Sequence, residues 1–463
     1  MNNIHFKRLN KNRLAPAGLA LSACLSVFVS FLATASPWLE PDNAYLRSDL
    51  QALADAGLIH TPINTYPLRW SGIDSDLQDI DTRQLSPALR QSYAHITYAI
   101  QGALIDRGNR QFKASYAKTP RDDSSFAAPL TQKWQALSSY ELTSHHYAFR
   151  LAANYHRGPN KFGHEKNEFS LDNSYIAFNA GNASISLGSV QRWWGPTWIY
   201  NLAWGHTRGT IPGVDLAYDA YNWPVIGSWH VETFIGSQRT PNNNQKQWSS
   251  RLEFAPVSWL NLGMSYQKWF SKSGLTGYVT GPIQSDANQQ DQYSGDIRLS
   301  LPSINVGQTT VTQSVYAQGA TLINDQSLGS TVLGWQSQFN IGEQYLRWIV
   351  EVKNLTADAK QQWQQGLANR SEEAGLHNQL AVNNGDVGES KTIKLLWVSP
   401  TDWEWTLQGQ RYQTVNEQNK NRMSASVELP LANSRLTIGS DYNASASAGV
   451  DQWNYWGSWD FRF

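Results

Sequence analysis

Gln452-Trp453-Asn454-Tyr455-Trp456-Gly457-Ser458-Trp459-Asp460-Phe461-Arg462-Phe463 ends the chain, and its reading decides the fold. Taken alternately, Trp453, Tyr455, Trp459, Phe461 and Phe463 fall on one side, with Gly457 among them. Asn454, Ser458, Asp460 and Arg462 fall on the other, where Trp456 is the exception. A period of two belongs to a strand whose faces meet different surroundings. One face is too bare for water and the other carries charge.

A closing strand of this length that ends on Phe resembles the last strand of bacterial outer-membrane β-barrels. Upstream segments repeat the pattern. Tyr147, Phe149, Leu151, Ala153 and Tyr155 alternate with Arg150, Asn154 and His156, and Leu346, Trp348, Val350 and Val352 oppose Arg347, Glu351 and Lys353. Eighteen such segments can be placed between 111–118 and 452–463, and an even number is what a bacterial single-chain barrel requires. Tight turns at Ser144-His145, Gly181-Asn182, Gly342-Glu343, Ser399-Pro400-Thr401 and Ala432-Asn433 alternate with longer polar connections at 119–130, 158–167, 192–212, 271–288, 319–329 and 354–388. Short turns inside and long loops outside are the habit of outer-membrane barrels, and this places both chain ends in the periplasm. The expected fold is an all-β transmembrane barrel of 18 antiparallel strands over 109–463, preceded by a signal peptide (1–35) and a small periplasmic α-helical bundle (36–108).

Composition agrees. With 37 basic and 37 acidic residues the chain is neutral, so bulk charge points to no nucleic acid. Its 21 Trp and 20 Tyr suit membrane interfaces or sugar-stacking surfaces. The polar mean hydropathy argues against a helical membrane protein but not against a barrel, whose strands are only half apolar. The bilayer is therefore an expected partner, and so is the barrel assembly machinery, through the C-terminal strand and Phe463.

Lys7, Arg8, Lys11 and Arg13, the apolar run Leu14 to Leu32 and Ala33-Thr34-Ala35 read as a secretory signal cut before Ser36. The single cysteine lies in Leu21-Ser22-Ala23-Cys24, which also resembles a lipoprotein processing site. Apolar residues continue past Cys24, where a lipoprotein shows a polar tether, so the cleaved signal is preferred and the mature chain has no thiol chemistry. After it, Leu46, Leu50, Leu53 and Gly57 mark a short helix stopped by glycine. Ser71 is a candidate cap for a second helix with Ile73, Leu77 and Ile80. Ser86-Pro87 opens a third, whose stripe is Leu89, Tyr93, Ile96, Ile100 and Leu104. All are too short and polar to cross a bilayer, and the expected place of the bundle is near or under the barrel mouth.

Residues 189–213 contain Gln191, Trp193, Trp194, Gly195 and Pro196, which resemble the WWGP signature of the Wzi capsule-assembly family. Arg208, Pro212 and Gly213 match a similar Arg and Pro-x-Gly pattern, and Leu46-Arg47-Ser48-Asp49-Leu50, Gly57-Leu58-Ile59 and Tyr66-Pro67-Leu68 look like its N-terminal helical region. The resemblance implies an outer-membrane lectin barrel of eighteen strands that helps hold capsular polysaccharide or exopolysaccharide at the surface. One departure is Asn383-Asn384-Gly385-Asp386 where the family offers a Gly- and Tyr-rich loop, so no particular glycan is implied.

The candidate polysaccharide-binding residues are Arg192, Trp193, Trp194, Trp198, Tyr200, Asn201, His206 and Arg208. Flat rings cover the apolar face of a pyranose, and Arg and Asn satisfy its hydroxyls. The competing reading makes the same rings the packing that plugs the loop into the barrel mouth, and the two are compatible if the packed loop presents part of its surface. Gly195, Pro196, Pro212, Gly213 and Phe463 are read as structural.

His145-His146 point to opposite faces of a strand and do not make a metal pair. Glu141, Asp172 and Asp215 fit the ordinary charge of a lumen wall. No nucleotide, zinc or hydrolase signature is present, so neither an enzyme nor a cofactor is expected. The alternatives to a surface lectin are a porin-type diffusion channel and a scaffold that docks envelope proteins through its helical segment.

Overall fold

We describe the protein from a computed structural model, which covers residues 38–103, 108–119, 125–128, 132–144, 146–159, 165–205, 210–239, 244–270, 290–307, 309–322, 328–355, 387–414, 419–445 and 452–463. The expected signal stretch (1–35) with Cys24, Leu104, His145, His206, Arg208 and the Asn383–Asp386 stretch lie outside these residues.

Three helices come first: α1 (Ala44–Asp55), α2 (Trp70–Gln78) and α3 (Pro87–Ala103). Asn43 caps α1, its side chain accepting from Tyr45 N and Leu46 N, and Gly57 ends the turn after it at φ +76°. Ser86 caps α3 through Leu89 N at 3.4 Å. The expected cap of α2 is corrected: the helix begins at Trp70 behind Arg69, without a side-chain cap bond, and Ser71 lies inside its first turn. Ser71 faces the barrel wall instead, its hydroxyl 3.4 Å from that of Tyr221.

The wall is a closed antiparallel barrel of eighteen strands. They are β1 (Asn109–Ala117), β2 (Trp134–Thr143), β3 (Tyr147–Pro159), β4 in two arms (Glu165–Ser170 and Tyr175–Ala180), β5 (Ala183–Gly188) and β6 (Gly213–Trp223). β7 (Gly227–Arg239), β8 (Asn244–Val257), β9 (Leu260–Phe270), β10 (Gln290–Val306), β11 (Thr309–Leu322) and β12 (Ser330–Ile341) follow. β13 (Gln344–Leu355), β14 (Val387–Val398), β15 (Glu404–Thr414), β16 (Asn419–Leu431), β17 (Ser434–Ser445) and β18 (Gln452–Arg462) complete it. β18 closes on β1, from Trp456 opposite Ala117 to Arg462 opposite Gln111. Every expected segment has its strand. The break in β4 was not expected: both arms pair with β3, one with its far half and one with its near half.

Alternation sorts the two faces. On β13, Arg347, Ile349, Glu351 and Lys353 are buried toward the lumen, while Val352 is exposed outward. Met264, Leu333, Ile393, Leu407, Met423, Ile438, Tyr455 and Trp459 continue the exposed apolar face round the wall. Such a face far exceeds the patches water tolerates, and lipid is its natural solvent. No helix among the described residues is long and apolar enough to cross a membrane. Trp456, the exception in the closing strand, points inward and packs with Ala117, and Gly439 leaves the room its indole occupies.

Tight turns lie at one end of the barrel and long connections at the other. β1 begins and β18 ends at the short-turn end. The helical segment does not hang beneath that end. It sits inside the lumen, where α1 packs against β10 and β11.

Candidate functional site

The connection between β5 and β6 leaves the wall below the long-connection rim. β5 has only six residues and stops at Gly188, held at φ +142° where a Cβ would overlap the carbonyl of Ser174. Ser189 N then bonds to Ser174 O at 2.9 Å, in the break between the arms of β4. From there the chain turns into the lumen.

Inside, the loop meets the helical segment. Trp193-Trp194 pair antiparallel with Thr65-Tyr66, and Gly195 N donates to Asn64 O at 2.7 Å. Arg47 on α1 donates to Pro196 O and Thr197 O, each at 2.9 Å. Its guanidinium lies 4.2 Å from the ring centre of Phe126 and 4.3 Å from that of Trp198. Burial pulls Arg47 down to about 10, so it remains charged at neutral pH. A dry cation held by carbonyls and ring faces is worth more than the same contact in water.

This geometry accounts for the WWGP residues one at a time. The Trp193 indole donates to Thr197 O at 2.9 Å and meets Phe126 edge-on. Trp194 packs edge-on to Trp204, with ring centres 5.0 Å apart, and Trp204 continues to Phe234. Gly195 stands at φ +140°, and the space a Cβ would take is filled by the Gln318 amide, which donates to Trp194 O at 3.0 Å. Pro196 presents its carbonyl to Arg47.

The wall holds the rest of the loop by its backbone. The Glu351 carboxylate accepts from the amides of Trp198, Ile199 (3.0 Å) and Tyr200 (3.3 Å) and from the Tyr316 hydroxyl. Leu202 N donates to Gln318 at 2.8 Å. Asn201 closes a local turn on the amides of Ala203 and Trp204. Arg192 sits between Glu232 (2.8 Å) and Asp215. Burial alone would lower its pKa, but those two carboxylates raise it. Tyr200 reaches Ser390 at 3.1 Å.

Trp193, Trp194 and Trp198 are fully buried, and Arg192, Tyr200 and Asn201 are nearly so. Of the two expected readings, packing describes these rings: Trp193 and Trp198 meet Phe126 edge-on, Trp194 meets Trp204, and Arg47 lies over Trp198. Pro212 O accepts from Ser237 N at 3.1 Å, Gly213 starts β6 against the Phe234 ring, and Phe463 N reaches Arg110 O at 3.1 Å. Asp215 is engaged by Arg192, and Glu141 by Arg150 and the Tyr175 hydroxyl.

The helical segment touches the wall on strands from β3 round to β15. Trp38 meets Tyr175 on β4, and Glu40 pairs with Arg150 on β3. Arg69 pairs with Asp219 on β6 at 2.7 Å. Glu253 on β8 accepts from Asn64 N at 3.0 Å and Thr65 Oγ1 at 2.5 Å. Asp55 ends α1 on Arg298 of β10, beside Ser300 and Ser314. Ser48 bonds to Gln338 of β12 at 3.1 Å and accepts from Arg347 of β13 at 2.6 Å. Tyr45 reaches Thr406 of β15 at 2.8 Å.

Sequence reasoning singled out Leu46-Arg47-Ser48-Asp49-Leu50 without assigning it work. Successive helical residues point about 100° apart, so Arg47 faces the loop, Ser48 the wall, and Asp49 faces α3, where it takes Ser92 Oγ at 2.7 Å and His95 Nδ1 at 2.9 Å. Glu351 and Glu253 carried no sequence signal beyond their lumen parity. A cleft between residues 61–69 and Asp219, Tyr221 and His230 has room for about one water, too little for a sugar.

The family described as capsule assembly protein Wzi matches residues 106–422, about two-thirds of the chain. A Klebsiella pneumoniae relative, described as an uncharacterized 55.8 kDa protein in cps region, is 25% identical over 277 residues, 53% of this chain and 51% of that protein. The chain thus spans about half the length of this curated relative. A solved structure, described as Wzi, an outer membrane protein involved in group 1 capsule assembly in Escherichia coli and a carbohydrate binding β-barrel, is similar at a TM-score of 0.71 and 14% identity. The likeness covers 92% of this chain and 100% of that one, and at this identity it speaks for the fold alone.

Proposed function

The chain belongs to the capsule assembly protein Wzi family, and from that premise we propose that it is an outer-membrane lectin that binds capsular polysaccharide or exopolysaccharide and helps attach and assemble it at the cell surface. The observation that carries this reading is the occupied lumen. A segment braced against the wall from β3 round to β15, and gripped by a loop entering from the other end, suits a rigid platform more than a diffusion path. The porin-type channel is the second reading, and the same observation weighs against it. We propose no catalytic role.

In this reading the short-turn end and both termini face the periplasm, the helical segment, described over 38–103, is the inner plug, and the long connections face outward. The closing strand with Phe463 is what the barrel assembly machinery recognises. Polymer contact falls to the outer connections. Arg192, Trp193, Trp194, Trp198, Tyr200 and Asn201 support that surface from beneath, and His206 and Arg208 are retained on sequence grounds as candidates for direct contact.

Cells lacking the protein should shed polymer into the medium while total polymer stays constant, and the purified barrel should retain that polymer on a column. Equal retention of polymer by cells with and without the protein sinks the proposal.

A further inference from the structure

The inward wall is not covered evenly. Where the helical segment lies against it, Arg251, Arg298, Gln336, Arg347 and Glu351 are buried. On the arc from β16 round to β1, inward side chains keep access to solvent: Ser426 and Glu428 on β16, Arg435 and Thr437 on β17, Asp460 on β18 and Lys113 on β1. Met423, Ile438 and Trp459 hold the outward positions of the same strands, so this access comes from within the lumen.

Exposure is greatest at the short-turn end, where Arg435 keeps 50% of its side chain open and Arg462 73%. Along β17, β18 and β1 the space closes inward at Asp441, Trp456 and Ala117, all buried. It is a crevice between wall and helical segment, open at the short-turn end. Asp42, at the start of the helical segment, is exposed there and feels Arg462, Arg150 and Lys113. The protein around it still raises its carboxyl above the ordinary value by desolvation.

Two oxygens on this wall are left over. Ser115 Oγ and Asp460 Oδ1 are buried without a hydrogen-bond partner among the described residues, although Asp460 Oδ2 accepts from Gln111 at 2.7 Å. Register sets them side by side: Ser115 stands opposite Ser458 and Lys113 opposite Asp460, with Thr437 and Arg435 next on β17. Buried oxygens of this kind are costly unless a donor reaches them. Acids and bases alternate on the wall, which favours neither a polyanion nor a polycation. A vicinal diol both donates and accepts at each hydroxyl, and so suits acceptors set beside the Lys113 ammonium.

We propose that this crevice is a saccharide site in its own right: it takes a short uncharged stretch of the surface polymer from the short-turn end, with sugar hydroxyls on Ser115, Asp460 and Lys113. It rests on the lectin reading above and adds a site inside the wall to the outer one.

The full chain with Cys24→Ser carries one reporter, either Ser426→Cys in the crevice or Ser249→Cys on β8, which is buried. A small water-soluble thiosulfonate should modify 426 readily and 249 hardly at all. The neutral oligosaccharide fraction of the cells' own surface polymer, released by mild acid, should slow the reaction at 426 severalfold. Asp460→Asn turns the free acceptor into a donor and should raise the half-protecting concentration about tenfold, the worth of one hydrogen bond to a charged group. Ser115→Ala should act in the same direction and decides the matter if the first variant does not fold. Protection unchanged in the folded variants overturns the site. No modification at 426, or equal modification at both reporters, removes the crevice and the proposal with it. Modification at 426 that the oligosaccharides leave unchanged means that water alone fills the crevice. The lectin reading then stands if a column of the protein still retains polymer, and both readings fail if it does not.

Discussion

Two segments occupy the lumen, and they are held in opposite ways. The N-terminal segment reaches the wall through side chains: Asp55 to Arg298, Arg69 to Asp219, Glu40 to Arg150, Ser48 to Arg347. The loop after β5 reaches it largely through its own backbone, whose amides end on Glu351 and Gln318. Side-chain charge fixes the first segment by identity, so single substitutions release it. Backbone capture fixes the second by shape, which leaves its rings free to pack on each other and confines the strict sequence demands to positions such as Gly195. Arg47 joins the two modes, a side chain of the first segment gripping carbonyls of the second.

The largest effect should come from the charge-held side. Asp55→Asn leaves Arg298 buried without its counter-charge, a loss of about 3–5 kcal/mol for a broken buried pair. Hydrogen exchange in detergent should show the amides of 44–55 losing protection well before those of the 193–204 stretch. Equal loss in both would erase the distinction.

Gly195→Ala probes the shape-held side. The alanine has to adopt φ +140°, at a cost of about 1–3 kcal/mol, and also meets the Gln318 amide. A second change, Gln318→Ala, relieves the collision but not the backbone strain, so the double variant should recover only part of the lost thermal stability. Full recovery would mean that the glycine is required for space alone.

The smallest effect is a pH dependence confined to the first segment. The hydrogen bond to Asp49 raises His95 above its ordinary value, so charged His95 favours the folded contact between α1 and α3. Its contribution is complete below about pH 6.5, the unfolded value, and fades as pH rises through the higher folded one. Exchange rates along α3 should increase over that window, and His95→Gln should remove the dependence. A variant with the wild-type pH profile would show that another group titrates.

Much of the wall was legible because parity is a local property. The alternation on β13 or β18 needs no knowledge of the partner strand, and inward Arg347 and Glu351 follow from outward Leu346 and Val350. The break in β4 was not legible, since at Leu171–Ser174 the Ser174 side chain takes the Ala152 backbone and its carbonyl takes Ser189 of the loop, a long-range partner. The direction of that loop was hidden for the same reason. Trp193, Trp194 and Trp198 read as ligand-stacking rings or as packing with equal ease until Arg47, about 150 positions away, is placed among them. The Ser71 cap failed because the helix begins one residue before it, at Trp70, which leaves Ser71 inside the first turn beside Tyr221 of the wall. Tertiary contacts that span the chain decide such positions, and the local pattern is silent on them.

Clasped through Arg47, these two segments should obstruct ion flow through the barrel. Conductance of the purified protein in planar bilayers decides it. Wild-type protein should be electrically silent, and Arg47→Ala should give intermittent openings as loop and helices part. A steady, open conductance from the wild-type barrel would contradict it.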